Sequence, residues 1–475
     1  MAASHLPDSY YASILSESAR SRRANPIRKV YHLENEPGVI SLLAGKPNTT
    51  MFPFTSIKFT VSPTTSPDYP ERIRTGQPLK SEGDQRTEIE LTGQDLEEAL
   101  QYGQTEGSAR LLDWLHGLQE HLHGRSRGEG WRMSVGVGSQ DMLYKAGTAL
   151  LNPGDYVLIQ APTYAGVIAM FDSLKCNLVD VPNDSSGTRS SDLRNILSSW
   201  PADRPKPKIF YNVPFGCNPT GITTTEQRKR EIIELSREHD FIIFEDDPYF
   251  NLYFGDAPRP PSFFQLEKSM PTKDGSPNVG RVLRFDSFSK LISAGMRMGW
   301  VSGPTPILNA IDMHSGISSV HSSSLSQAML VALFNSWGLD GFDAHVRSVS
   351  TFYRAKCEVF AAAMKQHLDG LAEWDVPEAG MFFWFKLLLP PGPDGESDSS
   401  DLIQTKAFKN GVLALPGIGF MPDGRKTPYV RAAFSLLDES DVNEALRRLR
   451  ETLLKDREDH SGETSAIPVA ERKIW

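Results

Sequence analysis

The stretch SFSKLISAGMRMGW, residues 287–300, follows the β-rich run Val282–Phe285 and carries more information than any other part of the chain. Four side chains stand at fixed offsets near the end of a predicted strand: Ser287, Ser289, Lys290 and Arg297. A lysine amine condenses with an aldehyde, serine hydroxyls donate hydrogen bonds to phosphate, and a planar guanidinium binds two phosphate oxygens at once. A lysine taken alone is most often a surface residue, but these four side chains together predict a chemical site.

Around this stretch, from about Asp95 to Trp337, short β-rich runs alternate with helical patterns. The predicted strands are Tyr156–Gln160, Lys208–Asn212, Phe241–Glu245 and Val282–Phe285, and Thr225–His239 is typical of the helices. This alternation predicts an α/β fold in which βαβ units build a mostly parallel central sheet covered by helices.

The chain length favours two domains, because 475 residues of which 39% are hydrophobic can bury a substantial core. After Ser348 the sequence predicts a long helix, a strand over Gly380–Leu389 and a closing helix through Leu454, which is typical of a smaller α+β domain. We expect four segments: an N-terminal arm that belongs to the small domain and holds one helix over Asp8–Ala19 (1–50), the large domain (51–340), the small domain (341–455) and a mobile tail (456–475).

The charge of the chain argues against nucleic-acid and membrane partners, since a formal net charge of -9 leaves no global basic surface. One basic cluster lies in the arm and consists of Arg20, Arg22, Arg23, Arg28 and Lys29. It lacks interleaved aromatic residues and a helix-turn-helix pattern, so we interpret it as a solvated surface.

The cysteines and the apolar runs predict a compartment. Cys176, Cys217 and Cys357 are widely spaced and form no CxxC pair, which favours neither a disulfide framework nor a zinc site and fits a reducing compartment. The N-terminus has no apolar core after a basic start, and no stretch approaches ~20 uninterrupted apolar residues. We therefore expect a cytoplasmic protein without a membrane anchor.

A second segment, FIIFEDDPYF (241–250), places Asp246 directly after a predicted buried strand and Tyr249 three residues later. A carboxylate at a strand end could bind a metal or cap a turn, but further ligands at partner spacing are missing from the sequence. With a pyridinium cofactor, Asp246 is suited to pair with the ring nitrogen, and Tyr249 to hydrogen-bond the ring hydroxylate.

Two loops that follow predicted strands add polar groups. YNVPFGCNPTG (211–221) delivers Asn218 in a tight turn, although turn-forming residues also occur together for purely structural reasons. VGVGSQDMLYKAGTALL (135–151) is typical of a glycine-rich turn before a helix, where amides near Ser139 and Gln140 can hold phosphate. The same turn could belong to a dinucleotide site, but the glycine spacing and the acidic strand end about 20 residues on are missing.

Two more residues complete the set. Tyr164 in QAPTYAG follows a predicted strand and could stack on a cofactor ring or pack in the core. Arg431 in TPYVRAAFS stands in a β-like run, where a charge is costly without a partner. A bound carboxylate would satisfy the guanidinium in a bidentate manner, and an internal salt bridge is the alternative.

Taken together, these segments resemble the class I/II aminotransferases of fold type I, specifically the branch of kynurenine/α-aminoadipate and fungal aromatic aminotransferases. The resemblance covers about Ser41 to Leu453. It rests on motifs in a fixed order: SLLAGKPNTTMFPF, QYGQTEGSARL, GSQDMLYKAG, APTYAG, NPTG, EDDPYF, SFSK with Arg297, and PYVRAAFS.

The resemblance implies pyridoxal 5'-phosphate as cofactor and assigns a role to each matching residue. Lys290 would attach covalently to the cofactor and later move the substrate's proton. The residues that would tune the ring are Asp246, Asn218 and Tyr249, with Tyr164 against its face. The phosphate would be held by Ser139, Gln140, Ser287, Ser289 and Arg297, and the substrate α-carboxylate by Arg431, beside Asn218.

The resemblance further implies a homodimer with shared active sites, in which Tyr102 reaches the phosphate of the partner subunit. Gly45 and Lys46 match the stretch that packs near substrate side chains in this branch. Relatives commonly have a glycine-rich run and an apolar residue there, so Lys46 is a departure that could favour a substrate bearing a second carboxylate or could point to solvent.

The activity implied by the resemblance is transfer of the amino group of an aromatic amino acid (tryptophan, phenylalanine, tyrosine or kynurenine) to a 2-oxo acid such as 2-oxoglutarate or an aryl pyruvate. Three alternatives stay open from the sequence. They are a 2-aminoadipate aminotransferase, a carbon–sulfur β-lyase that uses the same cofactor, and a ligand sensor, for which the arm shows no DNA-binding pattern.

Overall fold

The structure, a computed structural model, describes residues 4–23, 25–30, 33–34, 36–43, 45–61, 86–272, 275–392 and 394–462. Within these ranges the strands are β1 (Ile57–Val61), β2 (Thr87–Leu91), β3 (Trp131–Gly136), β4 (Tyr156–Ala161), β5 (Asn177–Asp184), β6 (Gly187–Thr188), β7 (Ile209–Asn212), β8 (Ile242–Asp246), β9 (Val282–Ser287), β10 (Gly299–Pro304), β11 (Ala372–Trp374), β12 (Phe382–Leu387), β13 (Leu415–Pro416) and β14 (Tyr429–Ala433).

The helices in the described ranges are α1 (Asp8–Ile14), α2 (Glu17–Ser21), α3 (Pro26–Val30), α4 (Gly93–Leu100), α5 (Ala109–His123), α6 (Ser139–Leu150), α7 (Ala165–Ser173), α8 (Ser190–Ser198), α9 (Glu226–His239), α10 (Phe263–Ser269), α11 (Thr305–Ser318), α12 (Ser324–Leu368) and α13 (Glu439–Gly462). A π-helix covers Leu402–Ala407. None of the described helices is long and apolar enough to cross a membrane.

An eight-stranded sheet with the order β3-β10-β9-β8-β7-β4-β5-β6 forms the central layer of the larger part of the chain. The neighbours from β5 through β4, β7 and β8 to β9 pair in parallel, whereas β10 runs antiparallel to β3 and β9. The mostly parallel α/β architecture predicted from the sequence is therefore confirmed, and the predicted strands coincide closely with β4, β7, β8 and β9.

The central strands are buried on both faces, as expected for a parallel sheet that helices cover on both sides. All residues of β7 and β8 are buried, including the acidic residues at the end of β8. The carboxyl ends of these parallel strands meet at one edge of the sheet, and the polar residues follow immediately after them. The fold thereby gathers side chains that are far apart in sequence.

A second, four-stranded sheet with the order β11-β12-β14-β13 has a separate hydrophobic cluster, built from residues such as Phe360, Met364, Phe383, Phe385 and Leu446. It is antiparallel throughout and packs against the end of α12 and against α13. The helix α12 begins at Ser324 and is broken at Gly338, where φ is +61°. The predicted domain boundary near residue 340 thus falls within this helix.

The N-terminal arm differs from its prediction in two ways. The single helix expected over Asp8–Ala19 is two helices, because Leu15 is extended and Ser16 caps α2 while its hydroxyl donates to the carbonyl of Thr148. The arm was also expected to belong to the small domain. Instead Tyr11 is buried in the core of the large sheet and donates to the carbonyl of Gly280 at 3.0 Å.

The C-terminal helix is longer than expected. We predicted its end near Leu454 and a mobile tail from Asp456, but α13 continues to Gly462. The reason is a contact with another element: Asp456 is buried and forms an ion pair with Lys406 of the π-helix. The rest of the predicted tail, 463–475, lies outside the described residues.

Candidate active site

A cavity of about 350 Å³ lies at the carboxyl edge of the parallel strands. Its lining combines loops after β3, β4, β7, β8 and β9 with residues of the small sheet. The lining residues are Ser139, Gln140, Tyr164, Val213, Asn218, Asp246, Pro248, Tyr249, Ser287, Ser289, Lys290, Ala294, Arg297, Phe382 and Arg431. The structure therefore brings together most of the side chains that the sequence analysis selected.

One end of the cavity is suited to a phosphate. The Arg297 guanidinium donates to the Ser289 hydroxyl at 3.3 Å and to the carbonyl oxygen of Val137 at 3.0 Å, in front of the first turn of α6. A Cβ atom on Gly138 would lie 2.3 Å from Nη2 of Arg297, so a side chain at this position would displace the guanidinium. The serine hydroxyls, the helix N-terminus and the guanidinium are together suited to bind an anion, and we call them the anion site.

Lys290 lines the same cavity and is influenced by the charges of both Arg297 and Arg431. Burial lowers the pKa of its amine, and the positive charges of Arg297 and Arg431 lower it further. A larger fraction of the amine is therefore unprotonated near neutral pH than in a solvated lysine. Only the unprotonated amine attacks an aldehyde, so this environment favours covalent attachment of a cofactor at Lys290.

Asp246 ends β8 at the floor of the cavity and is nearly fully buried. Its Oδ2 accepts a hydrogen bond from the Tyr211 hydroxyl at 2.7 Å, whereas its buried Oδ1 has no hydrogen-bond partner among the described residues. Burial raises the pKa of Asp246 to about 7. A buried carboxyl oxygen without a partner, at the wall of a cavity, fits the protonated ring nitrogen of a pyridinium group.

Arg431 reaches the cavity from β14 of the small sheet. Its guanidinium lies 4.5 Å from the ring centre of Phe382 and 5.1 Å from that of Phe420, and it donates to Oδ1 of Asn218 at 3.0 Å. Its Nε is buried and has no partner in the described part of the chain. A carboxylate in the cavity would supply that partner. Because Asn218 accepts from Arg431 through its oxygen, its amide nitrogen is left to donate toward the cavity.

The loop that carries Asn218 touches the small-sheet segment through its backbone. Gly216 has φ of +47°, and a Cβ atom there would lie 2.5 Å from the carbonyl carbon of Ala379. In the same way, a Cβ atom on Gly380 would lie 2.7 Å from the carbonyl oxygen of Gly216. Two glycines thus allow the chain segments on the two sides of the cavity to approach closely.

A cluster of buried charges on the other face of the sheet supports the end of β8. Arg284 of β9 is fully buried and pairs with Glu245 at 3.2 Å, Asp247 at 3.0 Å and Asp286 at 2.8 Å. Burial alone would lower the pKa of Arg284, but the three carboxylates together raise it. Glu245 also accepts from the amides that begin α10. We call these four residues the Arg284 cluster.

Three predicted site residues lie elsewhere in this chain. Lys46 and Tyr102 line a separate cavity of about 380 Å³ between the arm, α4 and α12. The Lys46 amine forms an ion pair with Glu34 at 2.6 Å, and Tyr102 is about half exposed. Gly45 precedes Lys46 and does not line the main cavity. The proposed roles of these residues, including contact with a partner subunit, stay predictions.

Tyr211, Phe382 and the Arg284 cluster are not among the site residues predicted from the sequence. Tyr211 belongs to the quoted YNVPFGCNPTG motif, but no functional role is predicted for it from the sequence. Phe382 lies in the strand that was predicted over Gly380–Leu389. The sequence does contain a signal for the Arg284 cluster, namely the acidic triplet Glu245–Asp246–Asp247 and the charged residues of RFDS (284–287). Two neighbouring buried strands can carry such charges only if the charges pair with one another.

The raised pKa of Asp246 predicts how cofactor binding depends on pH. An ionised Asp246 is required to pair with a cationic ring nitrogen, so we expect the cofactor-free protein to bind pyridoxal 5'-phosphate more tightly as pH rises through about 7. In Asp246→Asn the affinity should be lower, and its dependence on pH between about 6 and 8 should be weaker.

Equilibrium titration of the cofactor-free protein, followed by fluorescence, measures both effects. Asp113→Asn is the matched control, because Asp113 is an exposed residue that pairs with Arg127 on the surface. If Asp246→Asn kept the affinity and the pH profile of the unaltered protein, Asp246 would not be the partner of the ring nitrogen.

Comparison with known proteins gives a family. A family model described as aminotransferase class I and II matches residues 85–449. The aminotransferase tdiD of Emericella nidulans is 38% identical over 435 residues, which cover 91% of this chain and 94% of that protein. The mitochondrial kynurenine/alpha-aminoadipate aminotransferase of Mus musculus is 36% identical over 459 residues, covering 93% of this chain and 99% of that protein.

A solved structure shows the same fold. The crystal structure of aminotransferase Aro8 from Candida albicans superposes with a TM-score of 0.83 and 23% sequence identity, covering 96% of this chain and 99% of that one. The similarity extends through both sheets, since it includes nearly the whole chain.

Proposed function

The chain belongs to the class I and II aminotransferases, and from this membership we propose that it moves the amino group of an aromatic amino acid to a 2-oxo acid. The enzyme is a transaminase that depends on pyridoxal 5'-phosphate. The proposed donors are tryptophan, phenylalanine, tyrosine and kynurenine, and the proposed acceptors are 2-oxoglutarate and aryl pyruvates.

The observation that carries this proposal is the contact of the Arg431 guanidinium with aromatic rings, 4.5 Å from the ring centre of Phe382 and 5.1 Å from that of Phe420. Arg431 is suited to hold the α-carboxylate of the donor, and Phe382 and Tyr164 offer aromatic surface beside it. Within the described lining, Lys290, Arg297 and Arg431 are the cationic residues. Each already has a role, which favours a donor without a second carboxylate.

The cofactor and the side chains of the cavity would contribute different parts of the reaction. When bound, pyridoxal 5'-phosphate supplies an aldehyde that takes up the amino group and a ring that withdraws electrons from the substrate's α-carbon. We propose that Nζ of Lys290 removes the proton from that carbon and later returns one. Asp246 would hold the proton on the ring nitrogen, and Asn218 and Tyr249 would donate hydrogen bonds to the ring oxygen. Burial raises the pKa of Tyr249, so its hydroxyl stays a donor.

We also propose a homodimer whose active sites are shared and a cytoplasmic location. Support for the dimer comes from Tyr102, which matches the residue that would reach the partner's phosphate and is about half exposed in the single chain. Support for a reducing compartment comes from three free cysteines. The mouse relative is named mitochondrial, so imaging of the tagged full-length chain is needed to decide between the cytoplasm and the mitochondrion.

The test is a titration of the cofactor-loaded protein with single amino acids in the absence of an acceptor. We expect tryptophan, phenylalanine, tyrosine and kynurenine to replace the absorbance band of the lysine-bound cofactor with the band of the aminated cofactor. This conversion is half of a transamination, and its rate ranks the donors.

The same titration separates the alternatives. Faster conversion by 2-aminoadipate than by any aromatic donor would contradict the proposed donor class and reassign the enzyme to aminoadipate. Release of pyruvate without an acceptor, from substrates with a leaving group on the β-carbon, would identify a lyase. An intact cofactor band that no aromatic donor converts would also contradict the proposal.

A further inference from the structure

We propose that Tyr211 is a positioning residue for the reaction: its hydroxyl holds the carboxyl group of Asp246 in the orientation that aims Oδ1 at the cofactor's ring nitrogen. The inference rests on the role proposed above for Asp246. It assigns a function to a buried residue that does not line the cavity and that the mechanism has not used.

Tyr211 and Asp246 lie on the same face of the central sheet. Tyr211 stands on β7 and pairs with Phe244 on β8, so its side chain lies on the same face of the sheet as that of Asp246, two residues beyond Phe244. The Tyr211 hydroxyl reaches Oδ2 of Asp246 at 2.7 Å. Both strands are completely buried, which leaves the tyrosine little freedom to move.

The Tyr211 hydroxyl is the donor of this hydrogen bond and Asp246 is the acceptor. Burial raises the pKa of Tyr211 well above its usual value, and the charge of Asp246 raises it further. The tyrosine therefore stays protonated and acts as the hydrogen-bond donor. A carboxyl oxygen is the stronger acceptor when the carboxyl group is ionised. The bond stabilises the ionised form of Asp246, which is the form that pairs with a cationic ring nitrogen.

The two carboxyl oxygens of Asp246 have different surroundings. Oδ2 is occupied by Tyr211, while the buried Oδ1 lacks a partner among the described residues, and Asp246 lines the cavity. Rotation of the carboxyl group would break the bond to Tyr211 inside a water-poor site, where the loss is large. The hydroxyl thus fixes which oxygen faces the cofactor.

The experiment is a double-mutant cycle of Tyr211→Phe and Asp246→Asn in the full-length, cofactor-loaded enzyme. Phenylalanine keeps the buried ring, which packs edge-on against Phe171 with 6.2 Å between ring centres, and removes only the hydroxyl. We expect Tyr211→Phe to lower kcat by about 10- to 100-fold, with a change in KM of less than about threefold. Asp246→Asn should lower kcat more, and the double variant should be no worse than Asp246→Asn alone.

A second readout does not depend on turnover. Across the same cycle, the affinity of the cofactor-free protein for pyridoxal 5'-phosphate should fall by about tenfold in Tyr211→Phe. It should not fall further when Tyr211→Phe is added to Asp246→Asn. Tyr156→Phe is the matched control: Tyr156 stands at the opposite end of neighbouring β4, where its ring packs against Trp200. It should match the unaltered protein in both measurements.

The outcomes are distinct. Equal effects of Tyr211→Phe in the presence and absence of the Asp246 carboxylate would overturn the inference, because the tyrosine would then act by another route. Normal kcat and affinity in Tyr211→Phe would overturn it as well. If Asp246→Asn itself left kcat and affinity unchanged, the proposed role of Asp246 would fail, and the inference that depends on it would fail with it.

Discussion

Lys290→Ala should lower the rate of transamination by about four orders of magnitude or more, because it removes both the covalent attachment of the cofactor and the group that moves the substrate's proton. The anion site does not depend on the lysine, since Arg297 is held by Ser289 and by the carbonyl of Val137. We therefore expect the variant to bind the cofactor noncovalently and to lack the absorbance band of the lysine-bound form.

Two further variants sharpen this prediction. Lys290→Arg keeps a positive charge but has no primary amine, so it should be as inactive as Lys290→Ala. Lys208→Ala is the matched control. Lys208 directly precedes β7, forms an ion pair with Asp155 and does not line the cavity, so activity should stay normal. Steady-state rates with an aromatic donor give the comparison. Transamination at an unaltered rate in Lys290→Ala would end the mechanism proposed here.

Arg284→Met should destabilise the fold by about 3–5 kcal/mol, because it leaves three buried carboxylates without their shared cation. The side chain of Arg284 is fully buried and contacts Glu245, Asp247 and Asp286 at 2.8–3.2 Å. Methionine fills a similar volume, so the expected loss arises from charge rather than from a cavity. Urea unfolding of the cofactor-free protein measures it.

The loss of stability in Arg284→Met should also depend on pH. Burial raises the pKa values of Asp247 and Asp286, while the positive charge of Arg284 lowers both. A carboxyl whose folded-state pKa exceeds its unfolded value binds more protons in the folded state, so stability falls as pH rises between the two values. Without Arg284 the folded-state pKa values of these carboxyl groups rise, so stability falls over a wider pH range. The variant should therefore be more strongly destabilised near pH 8 than near pH 5.

An exposed arginine provides the control for this charge effect. Arg447 also contacts more than one carboxylate, Glu444 and Glu451, but on the surface of α13. Arg447→Met should leave the unfolding midpoint nearly unchanged, because solvent screens such pairs. Equal stability of Arg284→Met and the unaltered protein at pH 8 would mean that the buried carboxylates do not depend on Arg284.

The order of strands and helices could be predicted because each element carries a local signal. The β-rich runs that became β4, β7, β8 and β9 are short and bounded by turn residues, and nearly all of their residues are buried. The polar residues after those runs could be selected for the same reason: carboxyl ends of parallel strands share one edge, so Asn218, Asp246 and Lys290 had to lie close together.

What could not be predicted depends on register and on long-range packing. Tyr211 contacts Asp246 only because β7 and β8 pair with Tyr211 opposite Phe244, and a shift by one residue would turn its ring to the other face. The arm was misassigned because the burial of Tyr11 against the large sheet is a contact over 269 positions in sequence. The end of α13 was set too early because its partner, Lys406, lies in another element.

The close approach of Gly216 and Gly380 has a consequence for enzyme engineering. Exchange of the small domain with that of a relative is an obvious way to recruit a new substrate range, and the division between the two sheets invites a cut there. The two backbone segments lie so close together at these glycines that neither position can accommodate a side chain. A chimera should therefore inherit both glycines, with the loop of Asn218, from a single parent.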